Sequence, residues 1–241
     1  MVSDWLQKTT QQYLPLQCDL CGLPKEKHDN HSIWCVTCLS HFSETSRCQR
    51  CGLETLTAVE QCGQCLTAPP PWQRLYCVSD YTFPTSRYIH QLKYAKKFWV
   101  ARDLAKLLAP KIESPAPLIT SVPLHWSRYI QRGFNQSALL CDYLAKELHT
   151  PAQDRHTLTQ HQIFKRIRST SFQHGLTKDQ RQQNLRNAFT LNKQPTQTHV
   201  AILDDVVTTG STVQHLCDLL LEVGVKRIDI YCICRTPEPL T

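Results

Sequence analysis

No stretch of this sequence approaches the roughly 20 apolar residues that cross a bilayer as a helix. The N-terminal residues, MVSDWLQKTTQQYLPL, lack a charged segment followed by a long apolar one. A secretory signal is therefore not expected, and the expected compartment is the cytoplasm. Two nucleotide-binding patterns are missing as well. Without G-x-x-x-x-G-K-[ST] there is no nucleoside triphosphatase P-loop, and without G-x-G-x-x-G there is no dinucleotide fingerprint. Outside the cysteines no internal repeat is visible. Extended disorder is excluded too, because 41% of the 241 residues are hydrophobic and a core can form.

Cysteine, in contrast, is abundant. There are 13, and eight of them lie between Cys18 and Cys65. They form four Cys-x-x-Cys pairs: Cys18/Cys21, Cys35/Cys38, Cys48/Cys51 and Cys62/Cys65. In a reducing compartment clustered thiols point to metal or catalysis, not disulfides. A two-residue spacing places both thiolates on one side of an ion, so two pairs fit one tetrahedral zinc and four pairs fit two. Four thiolates leave no open ligand position, so both zincs would be structural. Pairing in chain order needs the shortest loops; a crossed arrangement is the alternative. Redox-active pairs are the rival reading, but four copies without a thioredoxin-like context weigh against it.

Charge divides the chain unevenly. Residues 1–72 carry −2, residues 73–191 carry +11, and residues 192–241 carry −2. The basic middle suits an anionic ligand or nucleic acid, or a solvated helical surface.

Periodicity gives an alternating plan. A short amphipathic helix is expected before Cys18, with Ser3 as its cap and Trp5, Leu6, Tyr13 and Leu14 on its apolar face. The cysteine module ends at Ala68-Pro69-Pro70-Pro71, a stiff boundary. The expected domains are residues 1–71, helix plus double zinc ribbon, and residues 72–241. Strands are expected over 75–83, 118–122, 200–203 and 228–234. Helices are expected over 86–95, 99–108, 133–148 and 211–223. Residues 153–175 read as a long polar loop, and Thr177-Lys178-Asp179-Gln180 as a capping box opening a helix. Strands alternating with helices imply a parallel α/β sheet.

The most specific segment follows the third strand: Val200-Ala201-Ile202-Leu203-Asp204-Asp205-Val206-Val207-Thr208-Thr209-Gly210-Ser211-Thr212. An apolar strand runs into two carboxylates, then a hydroxyl-rich loop, then a helix. The loop and helix start offer N–H groups and hydroxyls to a phosphate. Asp204 and Asp205, expected to be partly exposed at the strand's carboxyl end, can accept from vicinal sugar hydroxyls. Ligands of open α/β sheets bind along that edge.

This segment resembles the phosphoribosyl pyrophosphate signature of type I phosphoribosyltransferases. Further stretches resemble the ComF family, and within it the GntX type: Ser121-Val122-Pro123-Leu124, Arg132-Gly133-Phe134-Asn135-Gln136, His90-Gln91-Leu92-Lys93-Tyr94, the Arg181, Asn184, Ala188 and Phe189 stretch, and the cysteine front. The resemblance implies a type I phosphoribosyltransferase fold, a parallel sheet flanked by helices with a flexible hood. It implies Asp204 and Asp205 on ribose hydroxyls, Thr208, Thr209, Gly210, Ser211 and Thr212 on the 5′-phosphate, and Val122, Pro123 and Leu124 in a pyrophosphate loop. It implies Mg²⁺ bound with the ligand. It also implies a link with natural competence, hence single-stranded DNA and other DNA-processing proteins as partners.

Basic residues near these motifs are Lys93, Lys96, Lys97, Arg128 and Arg132, which suit pyrophosphate or a nucleic-acid backbone. Lys165, Arg166 and Arg168, with Phe164 and Phe172 beside them, read either as a single-strand-binding arm or as a solvated loop with core-anchoring phenylalanines. His90 and His125 read as structural or surface residues. Two functions fit: an enzyme in which a nitrogen nucleophile displaces pyrophosphate from C1 of the ribose, or a non-enzymatic module that senses the ligand while holding DNA.

Overall fold

The computed structural model describes residues 17–25, 32–42, 45–149, 157–167 and 188–237. The expected N-terminal helix, the capping box at 177–180, Arg168, Phe172, Arg181 and Asn184 lie outside them. The chain forms two compact units, Met1–Ser43 and Glu44–Thr241. Among the described residues no helix is long and apolar enough to cross a membrane.

The first unit is small and built on thiols. Gly22 N–H donates to Cys18 O at 2.8 Å, closing the first knuckle. Helix α1 (Val36–Leu39) brings Cys38 inward and runs into a 3-10 turn, Ser40–Phe42. Trp34 and Phe42 stack with centroids 4.6 Å apart and supply the apolar filling.

The second unit begins with the other cysteine pairs. Helix α2 (Gly63–Thr67) carries the buried Cys65. The proline run expected to separate two domains lies inside this unit. There Arg50 Nη2 donates to Pro70 O at 2.8 Å and Leu75 N–H to Gln49 O at 2.9 Å.

Next come β1 (Arg74–Asp80), α3 (Thr85–Tyr94), α4 (Val100–Leu108), β2 (Leu118–Ser121), α5 (Trp126–Arg132), α6 (Gln136–Leu148), β3 (Leu158–Thr159), β4 (Phe164–Arg166), β5 (Phe189–Leu191), β6 (His199–Val207), α7 (Ser211–Glu222) and β7 (Arg227–Arg235). Five strands form one sheet in the order β1-β7-β6-β2-β3, every pair parallel. The expected parallel α/β class is therefore what the chain adopts. β4 and β5 make a separate antiparallel pair.

The apolar content of β6 and β7 reflects burial on both faces. Val200, Ile202, Ile228 and Ile230 pack with Val213, Leu216 and Leu220 of α7. Leu140 and Leu144 of α6, and Leu104 and Leu108 of α4, are fully buried and belong to no part of that cluster. Each such side chain contributes about 2 kcal/mol on burial.

Three expectations change. Residues 153–175 are not wholly loop, because β3 and β4 fall inside them; β4 pairs with β5, a partner far along the chain that local periodicity cannot reveal. The helix expected over 133–148 begins only at Gln136, and a separate helix that was not expected, α5, precedes it. α5 ends at Gly133, and α6 starts one turn later with Asn135 as its cap, accepting from Ser137 N–H at 3.0 Å. Finally, β6 continues through both aspartates to Val207, because polar side chains at a strand's end do not break its pairing with β7.

Candidate functional site

The carboxyl ends of β6 and β2 lie side by side, with Ser121 in register with Leu203. Two loops leave from this edge. One is Thr208-Thr209-Gly210 between β6 and α7. The other is Val122-Pro123-Leu124 between β2 and α5. The parallel register thus brings the two expected ligand loops to one place.

Gly210 begins α7 with φ of 78°, a left-handed conformation that side chains disfavour, and it has no side chain with which to cap the helix. The first turn therefore presents N–H groups and the positive dipole end to whatever approaches. Thr208 and Thr209 are exposed, Ser211 and Thr212 half-buried. Thr209 and Ser211 hydroxyls lie 2.8 Å apart, converging on the loop.

The two aspartates differ. Asp204 is half-buried and accepts from Ser137 Oγ at 3.0 Å and from Asp205 N–H at 2.9 Å. Burial raises its carboxyl to about 7, the charge of Asp205 adds to this, and Lys93 opposes it. Asp205, expected to be partly exposed, is buried; its Oδ2 sits 2.6 Å from Lys93 Nζ. A strand that stays in the sheet past Leu203 turns alternate side chains inward, and Asp205 is one of them. Burial works against the charge on Lys93, but Asp205 and Asp204 outweigh it and hold the ammonium protonated.

The Val122 turn is tied down from both sides. Val122 N–H donates to Leu203 O at 3.0 Å, and Asn135 Nδ2 donates to Val122 O at 3.0 Å. His161 Nδ1 lies 3.2 Å from Ser121 Oγ, and its Nε2 lies 2.9 Å from Asp142 Oδ1. His125 caps α5, its Nδ1 accepting from Ser127 N–H. Burial lowers its basicity, and Arg166 and Arg128 lower it further.

Cations gather here. Burial and neighbouring Arg128 disfavour the charge on Arg166, while Asp204 favours it. Arg166 also lies over the Phe189 ring, 5.1 Å from its centroid. Lys93, Arg128 and Arg166 thus share one electrostatic neighbourhood with Asp204. Arg132 donates to Gln136 Oε1 at 3.1 Å and stacks over Tyr94. Lys165 points outward, but Phe164 is buried in the core and cannot stack a base. Its role is the core-anchoring one.

Ser137, Asn135 and His161 went unassigned in the sequence. Asn135 carried a signal, since it stands in the Arg132–Gln136 motif and has the chemistry of a helix cap. Ser137 and His161 carried none.

Both cysteine groups close in chain order, which settles the pairing. Within Cys18, Cys21, Cys35 and Cys38, and within Cys48, Cys51, Cys62 and Cys65, all four sulfurs lie within 4.8 Å of one another. Adjacent sulfurs are 4.0 Å apart in the first group and 3.7 and 3.9 Å in the second. Zn–S bonds of about 2.3 Å in a tetrahedron require about 3.8 Å. Cys35 N–H points at Cys18 Sγ and Cys62 N–H at Cys48 Sγ. Burial pushes Cys48 up, yet the N–H groups of Cys51 and Cys62 outweigh it and bring the thiol down to about 7. Both sites therefore fit zinc.

A phosphoribosyl transferase domain model matches residues 137–240. The chain is 42% identical over 232 residues to the DNA utilization protein YhgH of Salmonella typhi, covering 92% of this chain and 98% of that one. It is 40% identical over 234 residues to the protein of the same name from Escherichia coli O157:H7, with the same coverages. It is 34% identical over 214 residues to Competence protein F of Haemophilus influenzae, covering 83% of this chain and 90% of that one. The chain belongs to the ComF family of phosphoribosyltransferase-like proteins.

For this ComF-family chain the cysteine geometry makes a direct prediction. Protein purified without a histidine tag carries about two zinc ions, and the Cys35→Ser variant about one, because three thiolates close a tetrahedral site poorly. Metal analysis with thiol titration measures both. Zinc near zero with all thiols reactive would overturn the metal reading.

Proposed function

We propose that the edge formed by β6 and β2 binds phosphoribosyl pyrophosphate with Mg²⁺. The observation that carries this is the placement of a hydroxyl-rich helix-start loop beside a half-buried carboxylate and a pinned turn, with Arg128 and Arg166 close by. Asp204 accepts from the ribose hydroxyls. Residues Thr208, Thr209, Gly210, Ser211 and Thr212 take the 5′-phosphate. Val122, Pro123 and Leu124 receive the pyrophosphate, and Arg128 and Arg166 neutralise it. Asp205 supports the site indirectly, by holding Lys93. Mg²⁺, when bound with the ligand, would neutralise part of the pyrophosphate charge.

If turnover occurs, a nucleophilic nitrogen bonds to C1 of the ribose as the C1–O bond breaks, and pyrophosphate departs with the electron pair. The chain's own groups then position the ligand and stabilise charge, with no covalent nucleophile. Release of pyrophosphate from labelled donor, with and without a panel of bases and single-stranded DNA, tests this. No binding by calorimetry in the presence of Mg²⁺ would overturn the proposal altogether.

The biological role we infer is in DNA uptake or processing in the cytoplasm, following the names of the relatives. Single-stranded DNA is the favoured macromolecular partner. Tyr94, Phe98, Trp99, Trp126 and Tyr129 are exposed. They are interleaved with Lys96, Lys97, Arg128 and Arg132. Two contacts join these segments: Arg132 covers Tyr94, and Phe98 packs edge-on against Phe134. Aromatic faces take bases and the cations take phosphates. This rim, more than the segment around Lys165, supplies the stacking surface. Affinity for an oligonucleotide therefore falls steeply with salt, with a log–log slope of about 0.7 per phosphate contacted. Lys96→Glu with Lys97→Glu lowers both affinity and slope. A flat salt response would favour the sensing of a small ligand without DNA contact.

A further inference from the structure

The Cys48–Cys51 knuckle and the phosphate loop are joined by two buried side chains. The turn between Cys48 and Cys51 exposes the carbonyls of Arg50 and Cys51 to the rest of the unit. Trp72 Nε1 donates to Arg50 O at 2.7 Å. Arg235 Nε donates to Cys51 O at 3.0 Å.

The far end of each side chain reaches the phosphate loop. Arg235 Nη1 donates to the carbonyls of Val207 and Thr208, and to Thr236 O at 2.9 Å. The Trp72 ring lies against Gly210, where an added Cβ would come within 3.1 Å of Cη2. Arg235 and Trp72 are each only 5% exposed. A buried guanidinium is costly unless its donors are met. Here Nε and Nη1 meet backbone carbonyls: Cys51 on the knuckle, Val207 and Thr208 on the strand and loop that receive the phosphate, and Thr236 beyond β7.

The knuckle is also seated firmly on the sheet. Arg47 Nη1 donates to Gly52 O at 3.0 Å and to Asp80 Oδ1 at 2.9 Å. Gly52 has φ of 74°, and a Cβ there would overlap Leu75 of β1. A shift of the Cys48–Cys51 turn must therefore move Arg235 and Trp72, or break their bonds to it.

We propose that this knuckle positions the phosphate loop. Metal held by Cys48, Cys51, Cys62 and Cys65 fixes the carbonyls of Arg50 and Cys51. Those fix Trp72 and Arg235, and these hold residues 207–210 in the form that receives an anion. Arg235 and Trp72 are positioning residues that never touch the ligand. The zinc module on this reading governs affinity at the phosphate site, and metal loss loosens that site from a distance. The consequence for affinity rests on the phosphoribosyl pyrophosphate reading; the mechanical coupling does not.

The test is hydrogen exchange on the full zinc-loaded chain, followed at residues 206–213 and at β2. Cys62→Ser, Arg235→Gln and Trp72→Phe are each expected to raise exchange at 206–213 about tenfold, the loss of roughly one hydrogen bond, and to leave β2 unchanged. Trp72→Phe keeps an apolar ring in the core but removes both the bond to Arg50 and the outer ring atoms that face Gly210, so it serves if the other variants fail to fold. Arg235→Lys gives partial recovery, because one ammonium cannot span both carbonyl sets. Cys35→Ser, in the other zinc site, leaves the loop as in the parent.

Affinity for phosphoribosyl pyrophosphate falls by a similar factor in the same three variants. Unchanged exchange at 206–213 in Cys62→Ser protein shown to have lost one zinc would overturn the proposal. So would exchange rising equally at β2, which reports general loosening. If the parent chain binds no phosphoribosyl pyrophosphate, the exchange result still decides the coupling, and the ligand reading fails separately.

Discussion

Asp204→Asn protein is expected to melt no lower than the parent and to lose about tenfold to a hundredfold in affinity for phosphoribosyl pyrophosphate, the worth of one or two charge-assisted hydrogen bonds. Asp205→Asn is expected to do something different. Asp205 faces Lys93 at 2.6 Å with side chains only 5% and 20% exposed. Removing the carboxylate leaves a largely buried ammonium without its counter-charge, at a cost of about 3 kcal/mol in stability. Its effect on binding follows from the loosened fold, not from a lost ligand contact. Lys93→Met combined with Asp205→Asn therefore recovers most of the melting temperature, since both charges leave together. Thermal melts of the four proteins, with calorimetry on those that stay folded, separate the two roles. If Asp205→Asn melts like the parent and binds a hundredfold more weakly, the assignment is reversed: Asp205, and not Asp204, is the ribose group.

That division of labour shows what the sequence could and could not reveal. The Asp-Asp pair, the hydroxyl loop and the helix start were legible because each is written in adjacent residues. Four strands and four helices were legible because they bury one face or two. α5 was not, because it spans only seven residues and its apolar side chains, Trp126, Tyr129 and Ile130, stay exposed instead of marking a core face. The β4–β5 pair was not, because its register depends on residues more than 20 positions apart. The different burial of two neighbouring aspartates was invisible for a simpler reason. Alternation along a strand places them on opposite sides, but only the continuation of β6 beyond Leu203 says that they are still in a strand. The cysteine pairs announced zinc through spacing alone. Their connection to the phosphate loop runs through Arg235, which lies 184 residues from Cys51.

Affinity for phosphoribosyl pyrophosphate should rise about a hundredfold between pH 5 and pH 8. The cause is Asp204, whose carboxyl is raised to about 7 by burial and by Asp205. A ribose hydroxyl donates to the ionised carboxylate, so below pH 7 the ligand must first displace a proton. Each unit of pH below that point costs about tenfold, and the curve flattens above it. The ligand's own phosphate also takes up a proton near pH 6, which steepens the acid limb. Asp204→Asn isolates the protein's share: its profile retains the ligand's titration and loses the rest. Stability runs the other way. The folded chain holds this proton more tightly than an unfolded chain, whose aspartates titrate near 3.9. The contribution of Asp204 to stability is therefore full at low pH, declines as pH rises towards 7, and is constant above. Calorimetry at pH 6 in two buffers of different ionisation heat counts the proton directly, with close to one released per ligand in the parent and fewer in Asp204→Asn. Equal proton release in the two proteins would remove Asp204 from the ligand site. The opposed slopes give a reason for burying a carboxylate here. Without ligand the site holds an acid that gains little by ionising, and ligand hydroxyls add hydrogen bonds to the two that Asp204 Oδ1 already accepts.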